Sequence, residues 1–246
     1  VEDKAVINRL GFNNRGQQEA LPRLERMRSR MGKGVLGINI GANKDSDDRI
    51  ADYVTGAKNM APLADYLTVN ISSPNTPGLR ALQDKGALAE LLAAVMAAMG
   101  QSKTPVFLKV APDLEPADID DIVDVAMAEK IAALIISNTT ITRPDLLSRN
   151  RTETGGLSGA PLKDLALQRL KDFRTASGGQ IPLIGVGGIG TAEDAYERIR
   201  GGASLVQLYT AMIYDGPTIA ATMACRLAKL LKRDGFKNVA EAVGTA

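Results

Sequence analysis

The sequence has 246 residues, of which 45% are hydrophobic, 24% charged and 4% aromatic, as is typical of a globular protein and not of a disordered one. It contains no histidine and a single cysteine, Cys225, so this chain cannot supply a Ser-His-Asp triad, a His-ligated metal site, an intrachain disulfide or a Cys-rich metal cluster. The 30 Lys and Arg residues nearly balance the 28 Asp and Glu residues, which argues against nucleic-acid binding.

Short apolar runs alternate with segments of helical periodicity along the whole chain. The runs predict buried parallel strands over residues 35–40, 66–71, 106–110, 133–137, 182–186 and 204–209. The intervening segments predict helices over residues 47–60, 87–99, 116–129, 162–175, 192–200 and 217–232. Glu115 and Thr191 stand at helix-capping positions before two of them. We therefore predict one α/β domain over residues 1–246.

Polar and glycine residues follow nearly every predicted strand. They are Asn39, Asn70 with Ser72 and Ser73, Lys109, Ser137 with Asn138 and Thr139, Gly187 with Gly188, and Tyr209 with Thr210. A barrel builds its site from the carboxyl ends of all its strands, whereas a doubly wound sheet concentrates its ligand at one switch point. The pattern thus favours a (β/α)8 TIM barrel. Because only six βα units are present and the chain does not begin with Met, the first two strands are expected to be missing from it.

Residues 185–190 match the pattern GxGxxG between a strand and a helix. A dinucleotide site would need an acidic residue about 20 positions later, where this chain has Tyr209 and Thr210 instead. Gly188, close to the helix start at Thr191, together with Tyr209 and Thr210, favours a single phosphate held by backbone N–H groups. The alternative is that these glycines only form tight turns.

A second glycine-rich stretch, residues 155–159, contains Ser158. Its frame differs from the GxSxG nucleophile elbow, and no histidine is present to activate the serine, so hydrolase chemistry is rejected. The stretch is interpreted as a flexible lid or a second phosphate contact. Cys225 lies on the last amphipathic segment and is predicted to be part of the core.

Lys109 ends an apolar run, and a buried lysine is costly unless it meets an anion. It could therefore contact a ligand and stabilise developing negative charge. Residues 69–76 bring Asn70, Asn75 and several hydroxyl groups into a turn that contains proline, and such a group of donors and acceptors would bind a planar polar ring. Ordinary turn chemistry is the alternative.

These stretches together resemble a known enzyme family. Residues 8–13, 37–41, 69–80, 109–113, 138–140, 153–159, 185–188 and 207–210 are similar, in order and spacing, to dihydroorotate dehydrogenases of the membrane-associated, quinone-reducing class (class 2). The resemblance covers essentially the whole chain. It implies an FMN-containing (β/α)8 barrel that oxidises (S)-dihydroorotate to orotate in pyrimidine (UMP) biosynthesis, with FMN as hydride acceptor and a quinone as second electron acceptor.

The resemblance also implies roles for individual residues. The FMN contacts would be Asn39, Asn70, Lys109, Ser137, Gly159, Gly188, Tyr209 and Thr210. Dihydroorotate or orotate would be held by Asn8, Arg9, Leu10, Gly11, Phe12, Asn70, Asn75, Asn138 and Thr139. Ser73 stands at the position of the catalytic base, which removes the C5 proton while hydride leaves C6. Its activation through a hydroxyl or water relay with Thr76 is a hypothesis. No metal site is implied.

Ser73 also suggests the class, because the soluble classes that use fumarate or NAD have cysteine at that position. The quinone class implies a peripheral location on the cytoplasmic face of a bacterial inner membrane. In the family, an N-terminal helical domain forms the quinone tunnel and the membrane contact, and it precedes the first two barrel strands. Both parts are expected to be missing from this chain.

Three alternatives remain. The first is a dihydroorotate dehydrogenase of a soluble class, or a related flavin barrel acting on another pyrimidine, which the choice of electron acceptor would distinguish. The second is a flavin-free, phosphate-binding barrel lyase or isomerase, which would lack a yellow chromophore. The third is a non-enzymatic interaction domain derived from a barrel, which would not need the clustered Asn, Ser and Lys residues.

Overall fold

A six-stranded parallel sheet surrounded by helices organises the fold in the computed structural model, which describes residues 2–246. The strands are β1 Ala5–Asn8, β2 Gly37–Ile40, β3 Tyr66–Asn70, β4 Val106–Val110, β5 Ala133–Ile136, β6 Gly156–Gly159, β7 Leu183–Val186 and β8 Ala203–Gln207. The α-helices are α1 Gln17–Arg28, α2 Arg49–Met60, α3 Lys85–Met99, α4 Pro116–Ala128, α5 Lys163–Ala176, α6 Ala192–Arg200, α7 Ala211–Asp215, α8 Ile219–Arg233 and α9 Val239–Ala242. Short 3-10 helices span Ala61–Leu63, Leu79–Gln83 and Ala160–Leu162.

The order of strands in the sheet follows the order of the chain. Strands β2, β3, β4, β5, β7 and β8 are neighbours in that sequence, and every pair is parallel. A doubly wound sheet reverses its order at a switch point, and this sheet has no reversal. The six predicted strands are therefore confirmed, and the arrangement is that of a barrel wall, with all carboxyl ends at one edge.

Strand β4 shows how the sequence assigns the two faces of the sheet. Val106, Leu108 and Val110 are at most 3% exposed and belong to the main core under the helices. Side chains alternate along a strand, so Phe107 and Lys109 project to the inner face. There Phe107 stacks on Tyr66 with ring centroids 4.7 Å apart. Lys109, the last polar residue of the strand, is thereby brought to the carboxyl edge of the inner face.

Capping interactions fix the two predicted helix starts. The Thr191 hydroxyl accepts a hydrogen bond from the Asp194 N–H at 3.1 Å, and the Asp194 carboxylate accepts one from the Thr191 N–H at 2.9 Å. The Glu115 N–H donates to the Asp118 carboxylate at 2.9 Å. These reciprocal bonds satisfy N–H groups that a helix leaves without internal partners. The start of α6 is therefore held directly behind the glycine turn at Gly188.

Two short strands were not predicted. Strand β1 pairs with β6 in an antiparallel ribbon of four residues each, which crosses the carboxyl edge of the main sheet. The stretch interpreted as a flexible lid or phosphate loop is thus β6, with the Ser158 hydroxyl donating to the Val6 carbonyl at 3.2 Å. A four-residue ribbon gives too few positions for a period to be recognised.

Cys225 is exposed on α8, so its predicted place in the core is wrong. The apolar stripe of that helix is narrow, with only Met223 and Leu231 buried, and Cys225 falls outside it. Among residues 2–246 no helix is both long and apolar enough to cross a membrane.

Candidate active site

A cavity of about 610 Å³ opens at the carboxyl edge of the sheet, beneath the β1–β6 ribbon. This volume is within the range of sites that enclose small molecules. Ten of the predicted site residues line it: Asn8, Leu10, Lys109, Ser137, Asn138, Thr139, Gly159, Gly188, Tyr209 and Thr210. The structure thus brings the predicted cofactor contacts and part of the predicted substrate contacts to one place.

A smaller cavity of about 250 Å³ lies on the inner face of the sheet and is lined by Asn39, Asn70 and Lys109. Lys109 lines both cavities, so they meet at its side chain. Asn39 and Asn70 come from β2 and β3 and line the smaller cavity, whereas the larger cavity is lined by β1, Lys109 of β4, β6 and the segments that follow β5, β7 and β8. The larger cavity thus lies at the carboxyl edge, and the smaller one continues from Lys109 along the inner face of the sheet.

The Lys109 ammonium group has no hydrogen-bond or ion-pair partner among residues 2–246. Burial removes water from around the charge and lowers the pKa of Lys109 below its ordinary value. A half-buried cation without a partner is costly, and an anionic or electron-rich ligand in the cavity would relieve that cost. Lys109 therefore fits the role of a ligand contact.

The turn after β7 is shaped by Gly188. This residue has a φ of 70°, and a Cβ at this position would overlap the backbone of Lys163 at the start of α5. The N–H groups of Gly190 and Thr191 are already bound to the Asp194 carboxylate at 3.0 and 2.9 Å. The N–H groups of Gly187, Gly188 and Ile189 have no partner among residues 2–246, so the Gly188 N–H is one of three donors of this turn that remain for an anion.

Thr210 lies opposite this turn, where the chain leaves β8. Its hydroxyl donates to the Ser158 hydroxyl of β6 at 2.9 Å, which ties the ribbon to the barrel edge. Tyr209 beside it is largely exposed. The Tyr209 ring and the two hydroxyl groups border the cavity with Gly188 and Gly159.

Amide side chains at the other end of the cavity form a network of two separate hydrogen-bonded groups, one of Asn8 and Asn75 and one of Asn70, Ser72 and Asn138. Asn75 donates from Nδ2 to Asn8 Oδ1 at 3.0 Å. Asn138 donates to the Ser72 hydroxyl at 2.9 Å, which in turn donates to Asn70 Oδ1 at 2.7 Å. Each bond fixes which end of an amide remains for a ligand. The loops after β3 and β5 and strand β1 thus present a fixed set of polar groups.

Ser73 lies next to this network in the loop after β3 and is 7% exposed. Its Oγ accepts a hydrogen bond from the Asn75 N–H at 3.3 Å. The hydroxyl of Thr76, three residues later, is buried and has no partner among residues 2–246. Such an unsatisfied buried hydroxyl is uncommon in folded proteins, and it lies in the segment that carries Ser73.

Comparisons with known proteins decide the family. A sequence profile described as dihydroorotate dehydrogenase matches residues 1–231. A protein of Novosphingobium aromaticivorans named dihydroorotate dehydrogenase (quinone) is 64% identical over 249 residues, covering 100% of this chain and 71% of its own length. A protein of Erythrobacter litoralis with the same name is 65% identical over 244 residues, covering 99% and 70%. The chain belongs to the dihydroorotate dehydrogenase family.

Solved structures agree with this assignment. A structure of DHODH from Eimeria tenella in complex with ferulenol superposes with a TM-score of 0.95 at 40% identity, covering 98% of this chain and 71% of that one. The ligand-free form from the same organism gives 0.94 at 40% identity, covering 99% and 74%. The family predicted from the sequence is thereby confirmed, and the barrel-type fold is that of the dihydroorotate dehydrogenases.

The four residues after β1, residues 9–12, were predicted as substrate contacts, and the structure places them in different surroundings. Leu10 lines the large cavity but is 61% exposed. The Arg9 side chain donates to Glu153 at 2.8 Å and to the Thr154 carbonyl at 2.6 Å, outside that cavity. Phe12 packs on the main core, and Gly11 lies beside the Asn75 carbonyl. Of these four residues only Leu10 lines the large cavity. Substrate contact by Arg9, Gly11 and Phe12 stays a prediction.

An ion pair that was not predicted supports the loops of this dihydroorotate dehydrogenase site. Arg80 and Asp113 contact each other at 2.8 Å with side chains 20% and 12% exposed. Arg80 also donates to the carbonyls of Ser72 and Thr139 at 3.1 and 2.9 Å, and Asp113 accepts from the Thr140 hydroxyl. Arg80 thus joins the loops after β3, β4 and β5. The sequence did not indicate that Arg80 pairs with Asp113, because the two residues are 33 positions apart.

Replacement of Arg80 by Met is expected to destabilise the protein by about 3 kcal/mol, because it leaves the Asp113 charge buried without its partner. Denaturant unfolding measures this change. The double variant Arg80→Met/Asp113→Asn should lose less than the sum of the two single variants. Lys85→Met, which breaks an exposed ion pair with Asp121, is the control and should change the unfolding midpoint far less. Additive losses at Arg80 and Asp113 would contradict the coupling.

Proposed function

We propose that this chain is the catalytic part of a quinone-dependent dihydroorotate dehydrogenase, which oxidises (S)-dihydroorotate to orotate in pyrimidine biosynthesis. The observation that carries the proposal is that Lys109, which has no partner among residues 2–246, lines one cavity together with the Gly188 turn, Asn8 and Asn138, with Asn75 bound to Asn8 beside it. The names of the closely similar bacterial proteins support the reaction and the quinone acceptor.

FMN fits the donors around the large cavity. Lys109 offers a positive charge, and the Gly188 N–H offers a donor where glycine permits close approach; neither has a partner among residues 2–246. Asn39, Asn70, Ser137, Gly159, Tyr209 and Thr210 would complete the cofactor contacts. When bound, FMN supplies the hydride acceptor of the reaction. Lys109 would stabilise negative charge on the electron-rich ring, and the turn at Gly188 would hold the phosphate.

The amide cluster fits a planar ring with carbonyl, N–H and carboxylate groups. Asn8 and Asn75 are oriented by their mutual contact and Asn138 by its contact with Ser72, so their remaining donors and acceptors are preorganised. Asn70, Thr139 and residues 9–12 would provide the other substrate contacts. A ring held by these groups would lie beside Lys109, which lines the same cavity as Asn8 and Asn138.

Ser73 would accept the C5 proton of the substrate. A serine oxygen is a weak base unless a neighbouring group takes over its own proton. The Asn75 N–H fixes the Ser73 oxygen, and Thr76 supplies a buried hydroxyl with no partner among residues 2–246. We therefore propose that Thr76 belongs to the hydroxyl or water relay that removes the proton from Ser73.

Finer features of the family complete the proposal. The six parallel strands are proposed to be strands 3 to 8 of an eight-stranded barrel, supported by the high similarity to longer relatives. The quinone site and the contact with the cytoplasmic face of a bacterial inner membrane are proposed to lie in the N-terminal helical domain of the family. No nucleic acid or metal takes part in the proposed reaction.

An absorbance spectrum of the purified protein tests this function. We expect flavin bands that bleach when dihydroorotate is added without oxygen and return when a quinone analogue is added. Return with fumarate or NAD but not with quinone would favour a soluble class. Flavin bands that do not bleach would assign another substrate, and absence of flavin after incubation with FMN would favour the flavin-free lyase or isomerase.

A further inference from the structure

Arg198 of α6 is the largest fully buried side chain and had no role in the sequence analysis. It is 1% exposed. Its Nη2 donates to the carbonyl of Gly187 at 2.8 Å and to that of Lys163 at 2.6 Å. The Nε and Nη1 atoms are buried and have no hydrogen-bond partner among residues 2–246. The side chain therefore lies directly behind the glycine turn of the cavity.

The charge of Arg198 is not neutralised by a carboxylate in contact with it. No ion pair to Arg198 is formed by residues 2–246. The nearby acids Asp194 and Glu197 contact Lys163 instead, at 2.7 and 3.4 Å. Burial lowers the pKa of Arg198 to about 10, which still leaves the guanidinium charged at neutral pH. A buried and incompletely bonded cation costs free energy unless the fold or a ligand compensates for it.

The peptide between Gly187 and Gly188 connects this charge to the cavity. In a trans peptide the carbonyl and the N–H point in opposite directions. The Gly187 carbonyl faces Arg198, so the Gly188 N–H faces away from it. Gly187 and Gly188 both line the large cavity, and the Gly188 N–H has no partner among residues 2–246. A ligand anion at this N–H would thus lie across one peptide group from the guanidinium.

We infer that Arg198 is a positioning residue for a phosphate-monoester dianion, acting through the Gly187–Gly188 peptide from behind. It fixes the direction of the Gly188 N–H and polarises that donor, and its own charge is balanced by the bound dianion. The attraction is strong because the medium between them is protein and not water. This inference rests on the proposed function, in which the phosphate belongs to FMN.

Flavin binding to protein stripped of its cofactor tests the inference through fluorescence titrations. FMN and riboflavin share the ring system and differ in the phosphate, so their ratio of dissociation constants isolates the phosphate contribution. We expect Arg198→Met to weaken FMN binding by about 10- to 100-fold and to change riboflavin binding much less. Arg198→Lys should restore only part of the affinity for FMN, because it supplies an ammonium group but not the planar guanidinium that contacts both carbonyls.

Several outcomes would overturn the inference. Equal losses for FMN and riboflavin would assign Arg198 a purely structural role, and unchanged binding of both would assign it none toward the ligand. In each case wild-type binding of FMN would leave the proposed function intact. Absence of flavin binding by the wild-type protein would instead refute the proposed function together with the inference.

A measurement on the wild-type protein keeps the inference testable where Arg198→Met does not fold. The second pKa of a phosphate monoester is about 6 in water. Because the charge of Arg198 lies behind the turn that holds the phosphate, the dianion of bound FMN should be stabilised. Bound FMN should therefore keep the ³¹P chemical shift of the dianion down to pH 5. A titration of bound FMN near its value in water would contradict the inferred role.

Discussion

Replacement of Ser73 by Ala is expected to lower kcat for dihydroorotate oxidation by about 10²- to 10⁴-fold, the usual contribution of a positioned general base. In the loop after β3, the Asn75 N–H donates to the Ser73 oxygen and holds it beside the amide side chains. Ala removes the oxygen and leaves the flavin contacts unchanged. Stopped-flow reduction of the bound flavin by dihydroorotate measures the step directly, because the quinone does not take part in it.

Two further variants sharpen this result. Ser177→Ala removes another buried serine hydroxyl, at the end of α5 away from the cavity, and should leave flavin reduction at the wild-type rate. Ser73→Cys should keep part of the activity with a shifted pH profile, since a thiol loses its proton at about pH 8.5. If Ser73→Ala reduced its flavin within threefold of the wild-type rate, Ser73 would not be the base.

The wall of the barrel could be predicted because local and tertiary preferences agree there. In β4, the alternating residues Val106, Leu108 and Val110 form an apolar face, which is typical of a strand buried on that side. The caps at Glu115 and Thr191 act within four residues, so the sequence displays both partners. Predicted strand limits differ from the observed ones by at most two residues, a difference typical of fraying strand ends.

Long-range features escaped prediction for a physical reason. The β1–β6 ribbon pairs residues about 150 positions apart and exists only because the barrel edge supports it. Arg198 has the sequence environment of an ordinary exposed helix residue, and its burial follows from the packing of α6 behind β7. The role of Ser73 was assigned through the family resemblance, whereas Asn75 was already singled out in the turn at residues 69–76, for which ordinary turn chemistry was the alternative. Contacts of this kind depend on the assembled edge and not on a local pattern.

Replacement of Lys109 by Met is expected to have opposite effects on flavin binding and on the stability of the flavin-free protein. Loss of the charge should weaken FMN binding by about 10- to 100-fold, since hydrogen bonds to charged groups contribute roughly 1.5–3 kcal/mol. Without ligand, the same substitution removes a half-buried cation that has no partner among residues 2–246, so the midpoint of denaturant unfolding should rise. Lys103→Met, at an exposed position before β4, is the matched control and should change neither quantity.

The pH dependence of stability gives an independent test of the same side chain. In the unfolded chain Lys109 has a pKa of about 10.4, and burial lowers the pKa in the folded protein. Between these two pKa values the unfolded chain binds the proton and the folded protein does not, so the free energy of unfolding of the flavin-free protein increases with pH across that window. Lys109→Met should remove this increase, and Lys103→Met should retain it. If the free energy of unfolding of Lys109→Met still increased with pH in this window, the increase would not come from Lys109. The Lys109 ammonium would then be solvated by water or by another group in the folded protein, and it would not be a charge that needs a ligand.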